Sequence, residues 1–384
     1  MLTAYRQEES IRQEQGVPAL PLDASQVLAL TEMLEKEHEE LAFLASLLQD
    51  RIEPGVAEAA RVKAEWLERV ATGAVSSPVI TKNDAVAILG TMGGGYNVSA
   101  LIRLLNDSSC AAEAAAALKQ NIKIYEAFDT VAELAKTNPF AKEVLQSWAK
   151  AEWFTQAPAL SGTLNFTVYK VDGEINTDDF SPGNQAQSRA DIPLHATFFG
   201  YKRFPDGLAL MGTLRQKGVK VAFAGDVVGT GSSRKSAINS LAWHIGEDII
   251  GCPNKRRGGV VLGSVIAPIF YATARDAGVL PLECAVEQIK SGEELSLSLE
   301  KMQLRTAAGK EILMKTPPAT LLDEYRAGGR LNLIIGRNLT RAACAALQAA
   351  EPTCFVEAKN PQPAPGQAFT LAQKMIGQAC GLPG

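Results

Sequence analysis

The spacing of apolar side chains changes once along the chain, near Pro158. Before this point apolar residues recur every three or four positions, as at Val27, Leu30 and Leu34, which is the period of an amphipathic helix. Breaks such as Pro54–Gly55 divide this segment into successive short helices. We therefore predict an all-α solenoid of stacked helices, an architecture that mostly provides scaffold or protein-binding surface.

Two polar residues in the helical segment have the sequence context of helix caps. Asp23 precedes an apolar run and has Gln26 three positions later, which predicts a capping box, and Thr81 precedes another helix. The segment Gly90–Asn97 is predicted to be non-helical because it is rich in glycine. Helices are predicted to resume after it near four positions: Ser99, Cys110, Asn121 and Pro139.

After Pro158, apolar and polar residues alternate at Leu164, Phe166 and Val168, as they do in a half-buried strand. Residues 219–282 then predict strand, helix, strand, helix and strand, which is an α/β layer order. These five elements are Val219–Ala224, Ser233–Ile245, Gly259–Ile266, Pro268–Asp276 and Val279–Leu282. The remaining pattern predicts strands at Leu295–Leu304 and Ile312–Lys315, a helix at Ala342–Ala349 and a proline-rich linker at Pro352–Gly366.

The most distinctive chemistry lies between the first strand and helix of that α/β segment, in Gly225–Ser236. Its glycines favour a tight turn, and the following helix start favours an anion. Ser232, Ser233 and Arg234 add hydroxyls and a guanidinium suited to carboxylate or phosphate. The spacing excludes a P-loop and a dinucleotide fingerprint. It leaves open an anion-binding loop or a structural loop with a solvated arginine.

Charge, apolar run length and cysteine spacing limit the kinds of partner that the protein can have. The net charge of −4 gives no broad basic surface, so RNA is not indicated, and no apolar run reaches the length that spans a bilayer. The six cysteines form no C-x-x-C pair, which is typical of scattered free thiols in a cytoplasmic protein. Neither a signal peptide nor a G-x-S-x-G elbow is present, so we expect no membrane partner and no serine hydrolase.

Four motifs after Pro158 occur together in one order: Asn176–Pro182, Ser188–Pro193, Gly225–Ser236 and Ala267–Phe270. This combination resembles the aconitase superfamily, and within it the bacterial aconitate hydratase B branch. The resemblance extends over essentially the whole chain through further segments: Gly90–Asn97, Gln146–Phe154, Arg326–Arg330, Leu371–Met375 and Ala379–Gly381. It implies a HEAT-like helical domain at 1–158, an α/β swivel domain at 159–350, and a linker with the start of a cluster-bearing region at 351–384.

The resemblance also implies an activity and a set of site residues. The family interconverts citrate and isocitrate through cis-aconitate, and dehydration of 2-methylisocitrate is an alternative substrate reaction. By motif, Ser232 would remove the substrate proton and Asp178 would lie in the same catalytic pocket. The residues that would bind substrate are Arg189, Asp191, Ile192, Pro193, Ser232, Ser233 and Arg234.

The resemblance assigns the 4Fe-4S cluster of such enzymes to later domains, whose cysteines this sequence lacks. We expect this chain to bind no metal or cluster and to be inactive on its own. Its expected partners are a tricarboxylate substrate, a cluster-bearing partner chain, and a second copy of the chain that binds through the HEAT-like domain. Three functions stay open: the N-terminal part of a hydratase, a non-catalytic binding or regulatory module that uses the helical surface and the anion loop, and a degenerate remnant.

Overall fold

The first half of the protein is helical. The structure is a computed structural model that describes residues 1–158, 160, 162–357 and 368–382. The helices of this half are α1 (Leu2–Glu14), α2 (Ala24–Leu34), α3 (Leu41–Asp50), α4 (Glu58–Thr72), α5 (Lys82–Thr91), α6 (Tyr96–Leu104), α7 (Ala111–Gln120), α8 (Ala127–Leu134), α9 (Pro139–Ala149) and α10 (Glu152–Thr155).

The local signals at the helix ends form as predicted. Asp23 accepts a hydrogen bond from the Gln26 amide while the Gln26 side chain bonds the Asp23 amide, and Thr81 makes the same exchange with Asp84. The glycine-rich segment is non-helical only from Met92 to Gly95, and φ is positive at Gly93, Gly94 and Gly95. The prediction for the whole of Gly90–Asn97 was wrong at its two ends, because flanking apolar residues draw those ends into α5 and α6.

The second half contains the sheet. Its strands and helices are β1 (Thr163–Asn176), α11 (Thr177–Phe180), α12 (Ile192–Ala196), α13 (Gly207–Gln216), β2 (Val221–Thr230), α14 (Lys235–Ile245), β3 (Glu247–Ile249), β4 (Cys252–Arg257), β5 (Val260–Ile266), α15 (Pro268–Asp276), β6 (Leu280–Glu283), β7 (Glu294–Ser298), β8 (Gln303–Thr306), β9 (Glu311–Ile312), α16 (Leu321–Arg326), α17 (Arg330–Leu347) and α18 (Leu371–Ala379).

Among the described residues, seven strands form one mixed sheet in the order β6-β5-β2-β1-β7-β8-β9. The strands β6, β5, β2 and β1 are parallel, whereas β7, β8 and β9 are antiparallel. Successive side chains of β2 enter opposite cores, as Phe223 packs on one face of the sheet and Ala222 and Ala224 on the other. Both faces of the sheet are covered by apolar cores. Polar residues that follow β2 therefore reach the surface at its carboxyl end.

Three element predictions were wrong in extent. The strand predicted at Ile312–Lys315 is the shorter β9, which ends at Ile312. Leu295–Leu304 is not one strand but the hairpin β7–β8, whose turn carries Met302 at a φ of 48°. The last predicted helix, Ala342–Ala349, is the end of the much longer α17. Helix α17 packs against α9, and its Leu339, Ala343 and Cys344 join the apolar core of the helical region.

The described ranges contain no helix that is both long and apolar enough to cross a membrane. Of the linker predicted at 352–366, residues 358–366 lie outside the described part of the chain. The limits 1–158, 159–350 and 351–384 and the HEAT-like character of the helices stay predictions.

Lys63 on α4 leads to the first testable prediction. Its side chain is 1% exposed, its Nζ donates to the Gln49 carbonyl at 3.2 Å, and burial lowers its pKa to about 8. The unfolded chain, with an ordinary pKa of 10.5, binds more protons than the folded chain between these two values. The contribution of Lys63 to the free energy of unfolding should therefore rise by about 3 kcal/mol as pH increases from 8 to 10.5.

Urea unfolding of wild type and Lys63→Met across this pH range measures the effect as a difference between two slopes. The variant should lose the rise because it has no titrating amine at this position. Lys150→Met, which changes an exposed lysine of the same region, is the matched control and should keep the wild-type slope. Equal slopes for wild type and Lys63→Met would contradict the prediction.

Candidate active site

The loop after β2 is shorter than the sequence pattern indicated. Gly225–Thr230 was predicted as part of a glycine-rich turn, but it continues the strand and pairs with β1 and β5. The turn itself comprises residues 231–234, and α14 begins at Lys235. Gly231 takes a φ of 87°, which lets the chain reverse within these few residues. The Thr177 hydroxyl fixes the turn by donating to the Ser232 carbonyl at 2.8 Å.

Arg234 is the most strongly held side chain of the turn. Its Nη1 donates to Asp178 Oδ1 and, at 2.8 Å, to the Ser181 carbonyl, while its Nη2 lies 3.3 Å from Asp178 Oδ2. Asp178 also accepts from the Gly183 amide at 3.0 Å. The hydrogen bond from Arg234 is the main reason that the pKa of Asp178 is below its ordinary value. The guanidinium is thereby fixed beside the N-terminus of α14 with a fifth of its surface open.

Asp178 owes its position to a cap at the end of β1. The side chain of Asn176 accepts from the backbone amides of Asp178 and Asp179. The carboxylate of Asp179 in turn accepts from the backbone amide of Asn176. This capping box starts α11 directly after the strand. Because β1 and β2 are parallel neighbours, α11 and the turn before α14 lie at the same edge of the sheet.

Ser232 and Ser233 are exposed on the turn. They line a small crevice together with Thr177 of α11 and Phe270 of α15. Their hydroxyls are therefore open to a ligand that reaches Arg234 from solvent. The structure brings Ser232, Ser233, Arg234 and Asp178 into one place at the carboxyl end of β2.

Arg189 lies next to this group. It follows the 3₁₀ turn Gly183–Ser188, and its positive charge contributes to the lowered pKa of Asp178. Its Nε is buried and has no hydrogen-bond partner among the described residues. A buried unpaired donor is costly, so a ligand that accepts from Arg189 would remove that cost.

The segment 191–193 has a different environment. Asp191 receives two hydrogen bonds from Arg12 of α1, at 2.6 Å to Oδ2 and 3.0 Å to Oδ1, and caps α12 through the Leu194 amide. Pro193 is buried in the first turn of α12. Ile192 and Asp191 line a cavity of about 840 Å³ between the helical region and the sheet region. The structure thus does not place this segment with Ser232 and Arg234.

Sequence reasoning missed three polar residues that hold the site together. Arg12 gives no local signal, because its partner is 179 positions away. His195 is buried between the hydroxyls of Ser181 and Ser188, each 2.8 Å from a ring nitrogen. Ser181 stood inside a recognised motif, yet only the structure shows that its carbonyl binds Arg234.

The described residues do not fit an iron–sulfur cluster. No three cysteine, histidine, aspartate or glutamate side chains among them come close enough together to hold a metal ion. Cys110, Cys284 and Cys344 are buried, and burial raises the pKa of each thiol. Raised thiol pKa values oppose the thiolate form that binds iron.

Comparison with known proteins defines the class. The fold and site combine a helical region with an α/β layer that presents an arginine-containing turn at the end of a parallel strand. Residues 4–154 match the family model described as the aconitate B N-terminal domain. Residues 166–369, more than half of the chain, match the model described as the aconitate hydratase 2 N-terminus. The chain therefore belongs to the aconitate hydratase B family and corresponds to its N-terminal part.

Individual relatives agree with this assignment. Aconitate hydratase B of Synechocystis is 48% identical over 391 residues, and that of Escherichia coli is 46% identical over 400 residues. Each alignment covers 100% of this chain but only 45% or 46% of the relative. The chain therefore spans less than half the length of these relatives. A methanogen homoaconitase small subunit of Methanocaldococcus jannaschii is 26% identical over 178 residues, covering 46% of this chain and 93% of that protein.

Proposed function

We propose that the chain provides the substrate-carboxylate site and the serine base of an aconitate hydratase, which interconverts citrate and isocitrate through cis-aconitate. The observation that carries the proposal is the placement of Arg234. Asp178 and the Ser181 carbonyl fix its guanidinium beside two exposed serine hydroxyls. A fixed planar guanidinium binds a carboxylate through two parallel hydrogen bonds.

The surrounding residues favour negative charge on the ligand and on the base. A serine hydroxyl is a weak base at neutral pH, so Ser232 needs nearby positive charge to act. Arg234, Arg189 and the N-terminus of α14 supply that charge. In the proposed reaction they stabilise the Ser232 alkoxide and the charge that develops on the substrate when its proton is removed. Ser233 donates to the bound carboxylate.

Asp191, Ile192 and Pro193 have a supporting role in this proposal. They start α12 under the restraint of Arg12 and so carry Arg189 at the preceding turn. We propose that they shape the approach to the site from the 840 Å³ cavity. Direct contact with substrate falls to Arg189, Ser232, Ser233 and Arg234.

A complete active site would need a cluster-bearing partner. The cluster that the family resemblance implies would come from protein outside the described residues, either in the same polypeptide or in a separate chain. The similarity to a protein named a small subunit supports a two-chain arrangement. The helical region would offer a HEAT-like surface for such a partner or for a second copy of the chain. Dehydration of 2-methylisocitrate fits the same carboxylate contacts.

Calorimetric titration with citrate tests the proposed site. Wild type should bind, and Arg234→Ala should bind about tenfold to a hundredfold more weakly, because charge-assisted hydrogen bonds are worth about 1.5–3 kcal/mol. Lys235→Ala removes an equal charge from the adjacent exposed position and is the matched control. Its affinity should stay within about threefold of wild type, since an exposed charge contributes under about 1 kcal/mol.

Equal citrate binding by wild type and Arg234→Ala would argue against the site, and so would equal losses in Arg234→Ala and Lys235→Ala. The second outcome would indicate a general charge effect. Thermal unfolding of all three proteins shows whether each variant is folded when its affinity is measured.

A further inference from the structure

A chain of three serine hydroxyls and one imidazole lies behind the candidate site, with Ser181 and His195 buried and Ser188 and Ser236 half-buried. His195, which is 1% exposed, has its Nε2 2.8 Å from Ser181 Oγ and its Nδ1 2.8 Å from Ser188 Oγ. Ser181 Oγ lies 2.7 Å from Ser236 Oγ, and Ser188 Oγ lies 2.9 Å from the Gln185 carbonyl. These contacts connect the end of α11, the 3₁₀ turn, α12 and the first turn of α14.

The proton directions in this chain follow from its fixed end. The hydroxyl of Ser188 has one proton, and the Gln185 carbonyl can only accept it. Ser188 must then accept from His195, which places the ring proton on Nδ1. In the neutral ring Nε2 is therefore the acceptor for the Ser181 hydroxyl, and Ser181 in turn accepts from Ser236.

The environment of the ring agrees with a neutral imidazole. Burial is the main reason that the pKa of His195 is below its ordinary value, and the positive charge of Arg189 lowers it further. The neutral tautomer with the proton on Nδ1 satisfies both ring nitrogens. Because buried polar groups without partners are costly, this network specifies one arrangement of its segments.

On each side of the His195 ring, a serine of the network contacts or adjoins an arginine of the site. Ser181, whose hydroxyl donates to the ring, accepts Arg234 Nη1 at its carbonyl at 2.8 Å. Ser236 lies two positions after Arg234 in the first turn of α14. On the other side, Ser188 directly precedes Arg189. His195 is thus the common support of two guanidinium groups that belong to different segments.

We infer that His195 is a positioning residue that aligns Arg234 and Arg189 for a tricarboxylate, acting as the Nδ1-protonated tautomer. The inference rests on the proposed carboxylate site and assigns that site a buried support. A purely structural histidine would affect folding only. A positioning histidine also sets the affinity of the folded protein for the ligand.

Two substitutions separate the two sides of the ring. The amide of His195→Gln reaches the Nε2 position, so its oxygen can accept from Ser181, whereas the amide of His195→Asn reaches only the Nδ1 position. His195→Asn should weaken citrate binding about tenfold in calorimetry, because the support of Arg234 is lost. His195→Gln keeps the contact to Ser181 and loses only the contact to Ser188 beside Arg189, so it should weaken citrate binding less than His195→Asn does. His244→Gln is the matched control, because His244 is another histidine that contacts α12, through the Ala196 carbonyl.

His244→Gln should lower the melting temperature without changing the citrate affinity of the folded protein. If His195→Asn did not fold, Ser236→Ala would decide, since it cuts the outermost link and should weaken citrate binding. Unchanged affinity in His195→Asn or, failing that, in Ser236→Ala would overturn the inference. Nitrogen-15 NMR of the His195 ring is independent of citrate, and a proton on Nε2 would also overturn it. If the wild-type chain had no citrate affinity, the proposed function would be refuted. The position of the ring proton of His195 would then be the remaining test of the hydrogen-bond network.

Discussion

Gly229→Ala is expected to destabilise the protein by about 4 kcal/mol. Gly229 takes a φ of 81° near the end of β2, and a Cβ atom there would lie 2.2 Å from Cγ of Phe270. The substitution combines backbone strain of about 1–3 kcal/mol with overpacking of about 1–3 kcal/mol or more. Phe270 cannot move away freely, because it packs against Phe180 in the core beneath the site. Urea unfolding measures the loss.

Gly231→Ala is the matched control for this prediction. Gly231 has a similar φ of 87°, but a Cβ there would meet its nearest atom, Thr177 Oγ1, at 3.4 Å. It should therefore cost only the strain, about 1–2 kcal/mol. Adding Phe270→Ala to Gly229→Ala should cost less than the sum of the two single changes, because it removes the clash. Equal losses in Gly229→Ala and Gly231→Ala would contradict the steric explanation.

Arg12→Met is expected to reduce the free energy of unfolding by about 3–5 kcal/mol, the usual result of removing one partner of a buried ion pair. Arg12 is 7% exposed and makes two hydrogen bonds to Asp191, and its Nε donates to the Pro18 carbonyl at 2.6 Å. Without the guanidinium, Asp191 keeps its charge in a poorly solvated place. Chemical denaturation at neutral pH measures the change.

The same helix provides the control. Arg6 of α1 also pairs with a carboxylate, that of Glu40, but the two side chains are 53% and 33% exposed. Arg6→Met should therefore cost under about 1 kcal/mol. In a double-mutant cycle, Arg12→Met with Asp191→Asn should lose less than the sum of the single losses, since the second change removes the stranded charge. Additive losses would show that the Arg12–Asp191 pair contributes little.

The sequence predicted elements whose signals are local. The capping boxes at Asp23 and Thr81 and the helix Pro268–Asp276 form where residue type and spacing indicated. Asp178 and Arg234 were assigned to one site because their motifs resemble those of one family, and the structure joins them at the ends of two parallel strands. The caps and the helix depend on neighbours a few positions away, whereas local spacing alone did not pair Asp178 with Arg234.

Features that depend on distant contacts could not be predicted. Gly225 has the composition of a turn, yet pairing with two neighbouring strands keeps it in β2. The partner of Arg12 is 179 positions away, and His195 acquires its role only when three segments close around it. Nothing in the local pattern distinguishes these residues from an ordinary surface arginine and an ordinary core histidine.

The return of α17 to the helical region determines how the chain can be divided. Trp153 donates to the Thr340 hydroxyl at 3.0 Å, and Cys344 donates to the Ala149 carbonyl at 3.3 Å. A fragment ending at residue 158 would leave one side of α9 bare where Leu339 and Ala343 now cover it. Such a fragment would present an aggregation-prone apolar stripe to solvent, so a soluble helical fragment needs α17 attached by a designed connection.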